Sequence, residues 1–416
     1  MPKPLPYKVR LFNRILLITL ATLMVVQCVR CSFFKNDNTE PTAQELEAQK
    51  MGEAEAEDDD TLPQREGIDS ADALDEHADL THVFLQKDTC LAHQMDIMLR
   101  RYHPDNALFL AVDAKTDEIL AWGERKEGAV QTAPDYLTRA TFPAASLAKT
   151  ITVAAALETR KYNLNSEIPM IGGGHTLYLR QVRPRFPYSG ETITLADAYA
   201  KSYNPPVAIV GISVGPKKLK TAADKFGFNK SYPQGVPQRS SYAPPDTGYE
   251  LAETACGFTR KTTLSPLQAA GISRAIVTGK AFELPWSSDH ALGYAPIAPT
   301  RLPGTEFSKA TYQGLRDAML HTVLNGTARK HISTRNISHA IFDRLDIGGK
   351  TGSLDGENPK GRYDWFMGFA QDKNDPQNAV VIVVMQAHGA IRSQPSTQVA
   401  AILINYWAKE HLSNIN

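Results

Sequence analysis

Cysteine and dense runs of positive charge are both scarce in this sequence, and each scarcity excludes a class of protein. Four cysteines among 416 residues are too few for a scaffold built on disulfides. After residue 80, no run of basic residues is denser than Lys217-Lys218-Leu219-Lys220, which argues against a nucleic-acid-binding protein. No HExxH, Walker or GxGxxG pattern occurs, so the sequence indicates neither a metal site nor a nucleotide cofactor.

The charges that are present balance overall but are segregated along the chain. Lysine and arginine together number 45, as do aspartate and glutamate. Residues 1–35 contain six basic residues and no acidic one, whereas residues 36–80 contain 16 acidic and two basic residues, a net charge of −14. Residues 81–416 hold the remaining 37 basic and 29 acidic residues, or +8. Three segments of different charge imply three different environments.

An uncharged apolar run occupies residues 15–29, between Arg14 and Arg30. It is shorter than the roughly 20 residues that a bilayer core usually needs, but the flanking arginines can extend their charged ends to the interface. The run predicts a single-pass anchor in the cell inner membrane. Because basic flanks stay inside, residues 1–14 would be a cytoplasmic tail and the chain after residue 30 would lie in the periplasm. A cleaved signal peptide and a lipoprotein are the alternatives.

The next segment, residues 30–80, is acidic and has almost no large apolar residues. Such a segment cannot bury enough surface to offset its ordering entropy, so we expect a disordered linker; an acidic tail that binds a partner is the alternative. The chain as a whole is 42% apolar, which excludes global disorder. The folded part is therefore predicted to be residues 81–416, long enough for one large domain or two closely packed ones.

Hydrophobic periodicity predicts an α+β fold for this part. Two short β-type runs at 108–113 and 118–122 are separated by a turn pattern, which indicates a hairpin. A largely helical middle is followed by further apolar strands, which the hairpin would join in one antiparallel sheet. The other predicted elements are a buried helix from Ser146 to about Arg160, helices within 195–276, strands at 346–350, 365–370 and 379–385, and a final helix at 396–412.

Three short motifs carry residues suited to nucleophilic chemistry. Ser146 and Lys149 stand three residues apart on a predicted helix, so the amine can reach and activate the hydroxyl. The other two motifs each occur once, in a predicted loop and at the end of a predicted strand. They are Ser202-Tyr203-Asn204 and Lys350-Thr351-Gly352-Ser353.

This ordered set resembles the motifs of penicillin-recognising serine transpeptidases, or penicillin-binding proteins, and of class A β-lactamases. The resemblance covers nearly all of 81–416 and includes the segments 255–269 and 326–328. It implies a penicillin-binding-protein/β-lactamase-like fold. Such a fold has a five-stranded antiparallel sheet flanked by helices, with a mainly helical subdomain.

The resemblance also implies roles for the motif residues. Ser146 would attack the penultimate D-Ala carbonyl of a peptidoglycan stem peptide, with Lys149 as general base. Ser202 would relay a proton to the leaving amine. The remaining candidates are Asn204, which would orient Lys149 or a substrate amide, Lys350, which would attract the terminal carboxylate, and the substrate-binding residues Tyr203, Thr351, Gly352 and Ser353.

The expected function is that of a membrane-anchored D,D-transpeptidase that cross-links stem peptides and is inhibited covalently by β-lactams. It would need no metal and no cofactor, and cell-wall synthases are its candidate partners. A D,D-carboxypeptidase or a β-lactam-hydrolysing or β-lactam-sensing relative is the first alternative, because water could replace the amine acceptor. A catalytically silent cell-wall or divisome scaffold is the second alternative.

Four further features receive structural interpretations. Pro205-Pro206 is unusual for the family and would restrict Asn204. Gly172–His175 is read as a flexible turn, with a substrate-facing loop as the alternative. Residues 180–185 are read as a solvated basic loop, with contact to an anionic wall polymer or a partner as the alternative. Cys256 is read as a core residue, with a disulfide to Cys90 as the alternative.

Overall fold

The computed structural model describes residues 80–232, 238–287, 300–301 and 304–413. In these ranges the helices α1 to α11 are Thr81–Phe84, Thr89–Tyr102, Lys149–Glu158, Leu195–Ala200, Asn204–Val214, Pro216–Lys225, Tyr249–Cys256, Pro266–Thr278, Lys309–Asn325, His339–Arg344 and Ser396–His411. The strands β1 to β12 are Asn106–Asp113, Ile119–Lys126, Ala129–Val130, Phe142–Pro143, Glu167–Pro169, Thr192–Thr194, Thr263–Leu264, Glu283–Leu284, Thr300–Arg301, Leu345–Glu357, Lys360–Asp372 and Ala379–His388.

A large antiparallel sheet in the order β10-β11-β12-β1-β2-β3 forms the centre of this part of the chain. The N-terminal hairpin β1-β2 pairs with β12, so the first and last strands of the fold meet in one sheet. The predicted α+β class, with a large antiparallel sheet and helices around it, is therefore confirmed.

The predicted number of five strands is not what the structure shows. A sixth strand, the two-residue Ala129–Val130, pairs with the end of β2. Glu127 and Gly128 connect the two strands, both with positive φ, the backbone form that a tight hairpin turn requires. The strand is too short to be recognised by the alternation of polar and apolar residues.

Both faces of the sheet are covered, which explains the continuous apolar runs of its inner strands. β12 is buried at every position. On β1, Leu108 and Leu110 point into a core shared with α8, whereas Ala107 and Phe109 point into a second core formed with α2 and α11. The period-two alternation of a strand thus divides one apolar run between two cores.

Helix ends are placed by local capping signals. The helix α8 begins after Ser265, whose hydroxyl accepts a hydrogen bond from the Gln268 N–H, and Pro266 occupies the first turn. It ends at Gly279 in the left-handed conformation. A third apolar cluster, to which α5 and α7 contribute, fills the helical part beside the sheet.

Among the residues that the structure describes, no helix is long and apolar enough to cross a membrane. The predicted tail at 1–14 and anchor at 15–29 lie outside the described residues, as does the predicted linker up to residue 79. Cys90 is exposed and Cys256 is buried, and both are free thiols, so the alternative disulfide between them is not formed.

Candidate active site

The first motif lies on a tight turn that leads into a helix. Ser146 belongs to a 3₁₀ turn, Ala145–Ala148, and Lys149 begins α3. Their spacing brings Lys149 Nζ to 2.6 Å from Ser146 Oγ. Ser146 is 6% exposed and Lys149 is fully buried. Ala145 has a φ of 47°, a strained value for a residue with a side chain, and such strain is often found where a nucleophile is positioned.

Two groups from other helices hold the Lys149 amine in place. Nζ donates to Asn204 Oδ1 at 2.7 Å and to the Cys256 carbonyl at 2.8 Å. Asn204 is buried, and its Nδ2 donates to the His175 carbonyl at 2.8 Å. The amine is therefore oriented by acceptors on α5 and α7, in addition to the position that its own helix gives it.

The second motif connects α4 to α5 through a single left-handed residue, Ser202, with a φ of 59°. Pro205 and Pro206 follow Asn204 within the first turn of α5. Backbone N–H groups of a first helical turn have no partner inside the helix, so prolines there remove no helical hydrogen bond. The two prolines thus fit the helix start and leave the Asn204 side chain free to bond Lys149.

The third motif lies on the edge strand β10. Lys350 is fully buried, and its Nζ donates to Ser202 Oγ at 2.9 Å and to the Thr351 carbonyl at 2.8 Å. The same nitrogen lies 5.5 Å from the centroid of the Tyr199 ring, a cation–π distance. A second buried lysine thus contacts the hydroxyl of the second motif.

Gly352 brings this strand against the nucleophile turn. A Cβ at Gly352 would lie 3.3 Å from Leu147 Cγ and 3.4 Å from the Ala144 carbonyl oxygen, so a larger residue would push the strand away. The next residue, Ser353, has a buried hydroxyl with no hydrogen-bond partner among the described residues. Buried polar groups rarely stay unpaired, which makes this hydroxyl a candidate contact for substrate.

Tyr203, the central residue of the second motif, packs against the Gly172–His175 turn. The rings of Tyr203 and His175 lie edge to face with centroids 5.3 Å apart, and a Cβ at Gly174 would overlap the Tyr203 ring. The Asn204 N–H also donates to the Gly174 carbonyl at 2.6 Å. This turn is thus a packed wall of the site, whereas the sequence suggested a flexible turn.

Thr327 is a site residue that the sequence reasoning missed. Its N–H donates to the Ala200 carbonyl at 3.1 Å, and its hydroxyl lies 2.5 Å from that of Thr351. The loop after α9 therefore connects the end of α4, just before the second motif, to the third motif. The similarity of residues 326–328 to a short family motif was the signal that could have identified Thr327. The carbonyls of His175 and Cys256 had no comparable signal, since any residue type supplies a carbonyl.

The structure thus brings all three motifs together around one serine. Within the described residues, no group of three His, Cys, Asp or Glu side chains is placed to hold a metal ion. A serine hydroxyl bonded to a buried lysine, in a site where a second buried lysine bonds the serine of the adjoining motif, is the arrangement of an active-site-serine enzyme that forms acyl intermediates.

Comparison with known proteins identifies the family. A family model described as the penicillin binding protein transpeptidase domain matches residues 107–405. The chain belongs to this family, as the motifs predicted. Stage V sporulation protein D of Bacillus subtilis (strain 168) is 24% identical over 362 residues, covering 80% of this chain and 52% of that protein. Peptidoglycan D,D-transpeptidase PbpA of Mycolicibacterium smegmatis is 27% identical over 261 residues, covering 59% and 50%. The chain spans about half the length of these relatives.

Solved structures share the fold. The D,D-transpeptidase domain of a peptidoglycan glycosyltransferase from Eggerthella lenta matches with a TM-score of 0.57 at 21% identity, covering 78% of this chain and 82% of that one. Penicillin-binding protein A from M. tuberculosis, solved as a ceftriaxone acyl-enzyme complex, matches with a TM-score of 0.55 at 20% identity, covering 78% and 77%.

Proposed function

We propose that this protein is a peptidoglycan D,D-transpeptidase that cross-links stem peptides through an acyl-enzyme on Ser146. The observation that carries the proposal is the 2.6 Å contact between Lys149 Nζ and Ser146 Oγ, at a site where both groups are shielded from water. The name of the M. smegmatis relative supports the same activity.

In the acylation step, Ser146 Oγ attacks the carbonyl carbon of the penultimate D-Ala. Lys149, in its neutral form, takes the hydroxyl proton, because its amine is already aimed at Oγ. Backbone N–H groups of Ser146 and Ser353 stabilise the developing oxyanion, at about 3–4 kcal/mol for each donor. Collapse of the tetrahedral intermediate breaks the peptide bond and leaves an ester on Ser146.

The leaving D-Ala needs a proton on its nitrogen and a site for its carboxylate. Ser202 relays the proton, supported by the 2.9 Å contact of its hydroxyl with Lys350 Nζ. Lys350 attracts the carboxylate, and the hydroxyls of Thr351 and Ser353 donate hydrogen bonds to it. The unpaired Ser353 hydroxyl supports this assignment.

An amine of a neighbouring stem then attacks the ester carbonyl carbon. The proton of the amine passes through the enzyme base to Ser146 Oγ, which leaves as the regenerated hydroxyl. We place the reaction in the periplasm, on a domain anchored in the inner membrane by residues 15–29, with cell-wall synthases as candidate partners. The uncharged run between Arg14 and Arg30 supports the anchor.

Covalent labelling by a fluorescent penicillin tests the nucleophile. The wild-type chain should be labelled, and Ser146→Ala should abolish the label because it removes the hydroxyl that lies 2.6 Å from Lys149 Nζ. Ser273→Ala is the matched control: it removes another buried serine hydroxyl, on α8, and should leave labelling intact. Undiminished labelling of Ser146→Ala would refute the assignment.

The fate of the acyl group tests transpeptidation itself. The full-length chain is incubated with a pentapeptide stem, with and without a D-amino acid as amine acceptor, and products are separated by mass. Exchange of the terminal D-Ala for the acceptor supports transpeptidation. Release of D-Ala with only a tetrapeptide product would instead identify a carboxypeptidase. Penicillin labelling without either product would favour a scaffold or sensor.

A further inference from the structure

Gln181 is a buried polar side chain at the centre of the turn that forms one wall of the site. It is only 1% exposed. Its Nε2 donates to the Ile171 carbonyl at 2.7 Å and to Thr176 Oγ1 at 2.9 Å, so one amide group joins the two ends of the turn 171–176. Burying an amide costs free energy unless its hydrogen bonds are made. The bonds to the turn are therefore what keeps Gln181 inside.

The glycines of the turn make room for this side chain. Gly172 has a φ of 71°, and a Cβ there would lie 2.8 Å from Gln181 Nε2. The Gly173 carbonyl accepts from the Thr176 hydroxyl at 2.9 Å and lies 3.2 Å from the same Nε2. The turn is thus wrapped around the Gln181 amide, and a side chain without donors at this position would lose the bonds that close it.

The same turn holds Asn204, which accepts a hydrogen bond from the Lys149 amine. The Gly174 carbonyl accepts from the Asn204 N–H at 2.6 Å, and the His175 carbonyl accepts from Asn204 Nδ2 at 2.8 Å. The remaining polar atom of that side chain, Oδ1, accepts from Lys149 Nζ at 2.7 Å. A continuous series of contacts therefore leads from Gln181, through the turn and Asn204, to the amine.

We propose that Gln181 is a positioning residue for acylation: by closing the turn 171–176 it fixes the two carbonyls that orient Asn204, and through Asn204 it orients the amine of Lys149. The inference rests on the proposed function, in which Lys149 takes the proton of Ser146. Among the described residues, the Gln181 side chain bonds the turn rather than the reacting atoms. A catalytic group misplaced by about 1 Å can cost roughly 100-fold in rate, so a loosened turn should cost about tenfold.

Anchoring of the loop 178–188 does not explain a glutamine at this position. Leu177 and Val182 pack into the third apolar cluster, and the Tyr249 hydroxyl donates to the Leu177 carbonyl at 2.6 Å. The loop is thus held to α5 and α7 by other residues. A side chain that only filled space at 181 could be as apolar as these neighbours, whereas a buried amide provides directional bonds.

A double-mutant cycle in the full-length chain tests the proposal. Gln181→Met keeps the approximate size of the side chain and removes its two N–H donors. It should slow acylation of Ser146 by a penicillin about tenfold, through the rate constant at saturation rather than through initial binding. In an Asn204→Ala background the same substitution should cost less than about twofold, because residues that act through one another are not additive.

A matched control and a milder variant accompany the cycle. Gln86→Met removes another buried glutamine that donates to backbone carbonyls, far along the chain from the motifs, and should leave acylation unchanged. Thr176→Val removes one acceptor of the Gln181 amide and should slow acylation about threefold. It keeps the proposal testable if Gln181→Met does not fold.

Hydrogen exchange at Asn204 gives a readout that does not need the reaction. Pro205 and Pro206 have no N–H, so a short peptide across this region reports the Asn204 amide with few others. Its bond to the Gly174 carbonyl should protect this amide in the wild type. Gln181→Met should speed its exchange about fivefold, and Gln86→Met should not change it.

The outcomes separate this proposal from the proposed function. Full additivity of Gln181→Met with Asn204→Ala, equal slowing by Gln86→Met, or unchanged exchange at Asn204 would each overturn the positioning role. A wild-type chain that no penicillin acylates would instead overturn the proposed function. The exchange measurement would then still decide whether Gln181 orders Asn204.

Discussion

Replacing Thr327 by valine tests whether the loop after α9 takes part in binding the substrate carboxylate. The Thr327 hydroxyl lies 2.5 Å from the Thr351 hydroxyl but 3.5 Å from the Ala200 carbonyl, its other neighbour. Either hydroxyl can donate across the shorter contact, and we infer that Thr327 donates to Thr351 when substrate binds, because a carboxylate can only accept the remaining proton. The Thr351 proton then remains available for a substrate carboxylate.

The expected size of the effect follows from one neutral hydrogen bond. Such a bond contributes about 1 kcal/mol, which corresponds to roughly a fivefold change in rate. Valine matches threonine in shape, Thr327 is exposed, and its backbone bond to Ala200 does not involve the side chain. We therefore expect Thr327→Val to slow acylation without changing the melting temperature.

The assay compares two β-lactams that share one side chain, one with a free carboxylate and one with that carboxylate esterified. Thr327→Val should slow acylation of Ser146 by the free acid about fivefold and acylation by the ester much less, because the ester cannot accept the same charge-assisted bonds. Thr327→Ser keeps the hydroxyl and should behave like the wild type with both. Equal losses with acid and ester would refute the reasoning.

Two further predictions concern the frame of the site. Gly257→Ala, at a φ of 78°, would drive its Cβ into the Ala145 carbonyl, so it should lower the melting temperature and slow penicillin labelling. Gly279→Ala is the control, with a φ of 64° and open space around the new Cβ. It should cost only about 1 kcal/mol of left-handed backbone strain and leave labelling unchanged. Burial raises the pKa of Glu124 to about 7, although the Tyr136 N–H donates to its carboxylate. Because the folded-state pKa lies above the unfolded value, protonated Glu124 adds about 3 kcal/mol to the free energy of unfolding below about pH 4.5. This stabilisation is lost as the pH rises through 7. Denaturant unfolding at pH 5 and pH 8 should therefore show a smaller stability difference for Glu124→Gln than for the wild type.

The sequence predicted the elements whose signals are local. The hairpin, the three C-terminal strands and the last helix all form where they were expected, since each has a clear apolar period. The strands predicted at 346–350 and 365–370 are longer than expected, at 13 residues each. The pair Ser146 and Lys149 could also be predicted, because three residues along a helix place two side chains on one face. The first turn of that predicted helix, up to Ala148, is 3₁₀ instead, a distinction that periodicity does not resolve.

The rest of the site depends on tertiary contacts that no local pattern encodes. Lys149 finds an acceptor in the backbone of Cys256, and Asn204 in the backbone of His175. Carbonyls of this kind are invisible to motif reasoning, because the identity of the residue that supplies them is immaterial. The Gly172–His175 turn illustrates the same limit: three glycines suggest freedom, but Gly174 is there because the Tyr203 ring leaves no room for a Cβ.

Sheet register is what finally joins the third motif to the first. Gly352 on β10 pairs with Trp365 on β11, and Trp365 Nε1 donates to the Pro143 carbonyl at 3.2 Å, just before the nucleophile turn. Both neighbouring strands are thus fixed to the chain segment that carries Ser146. A slip of β10 by one residue would turn Lys350 to the opposite face and break its contact with Ser202. The buried Trp365 therefore helps to fix the register that places Lys350 beside Ser202.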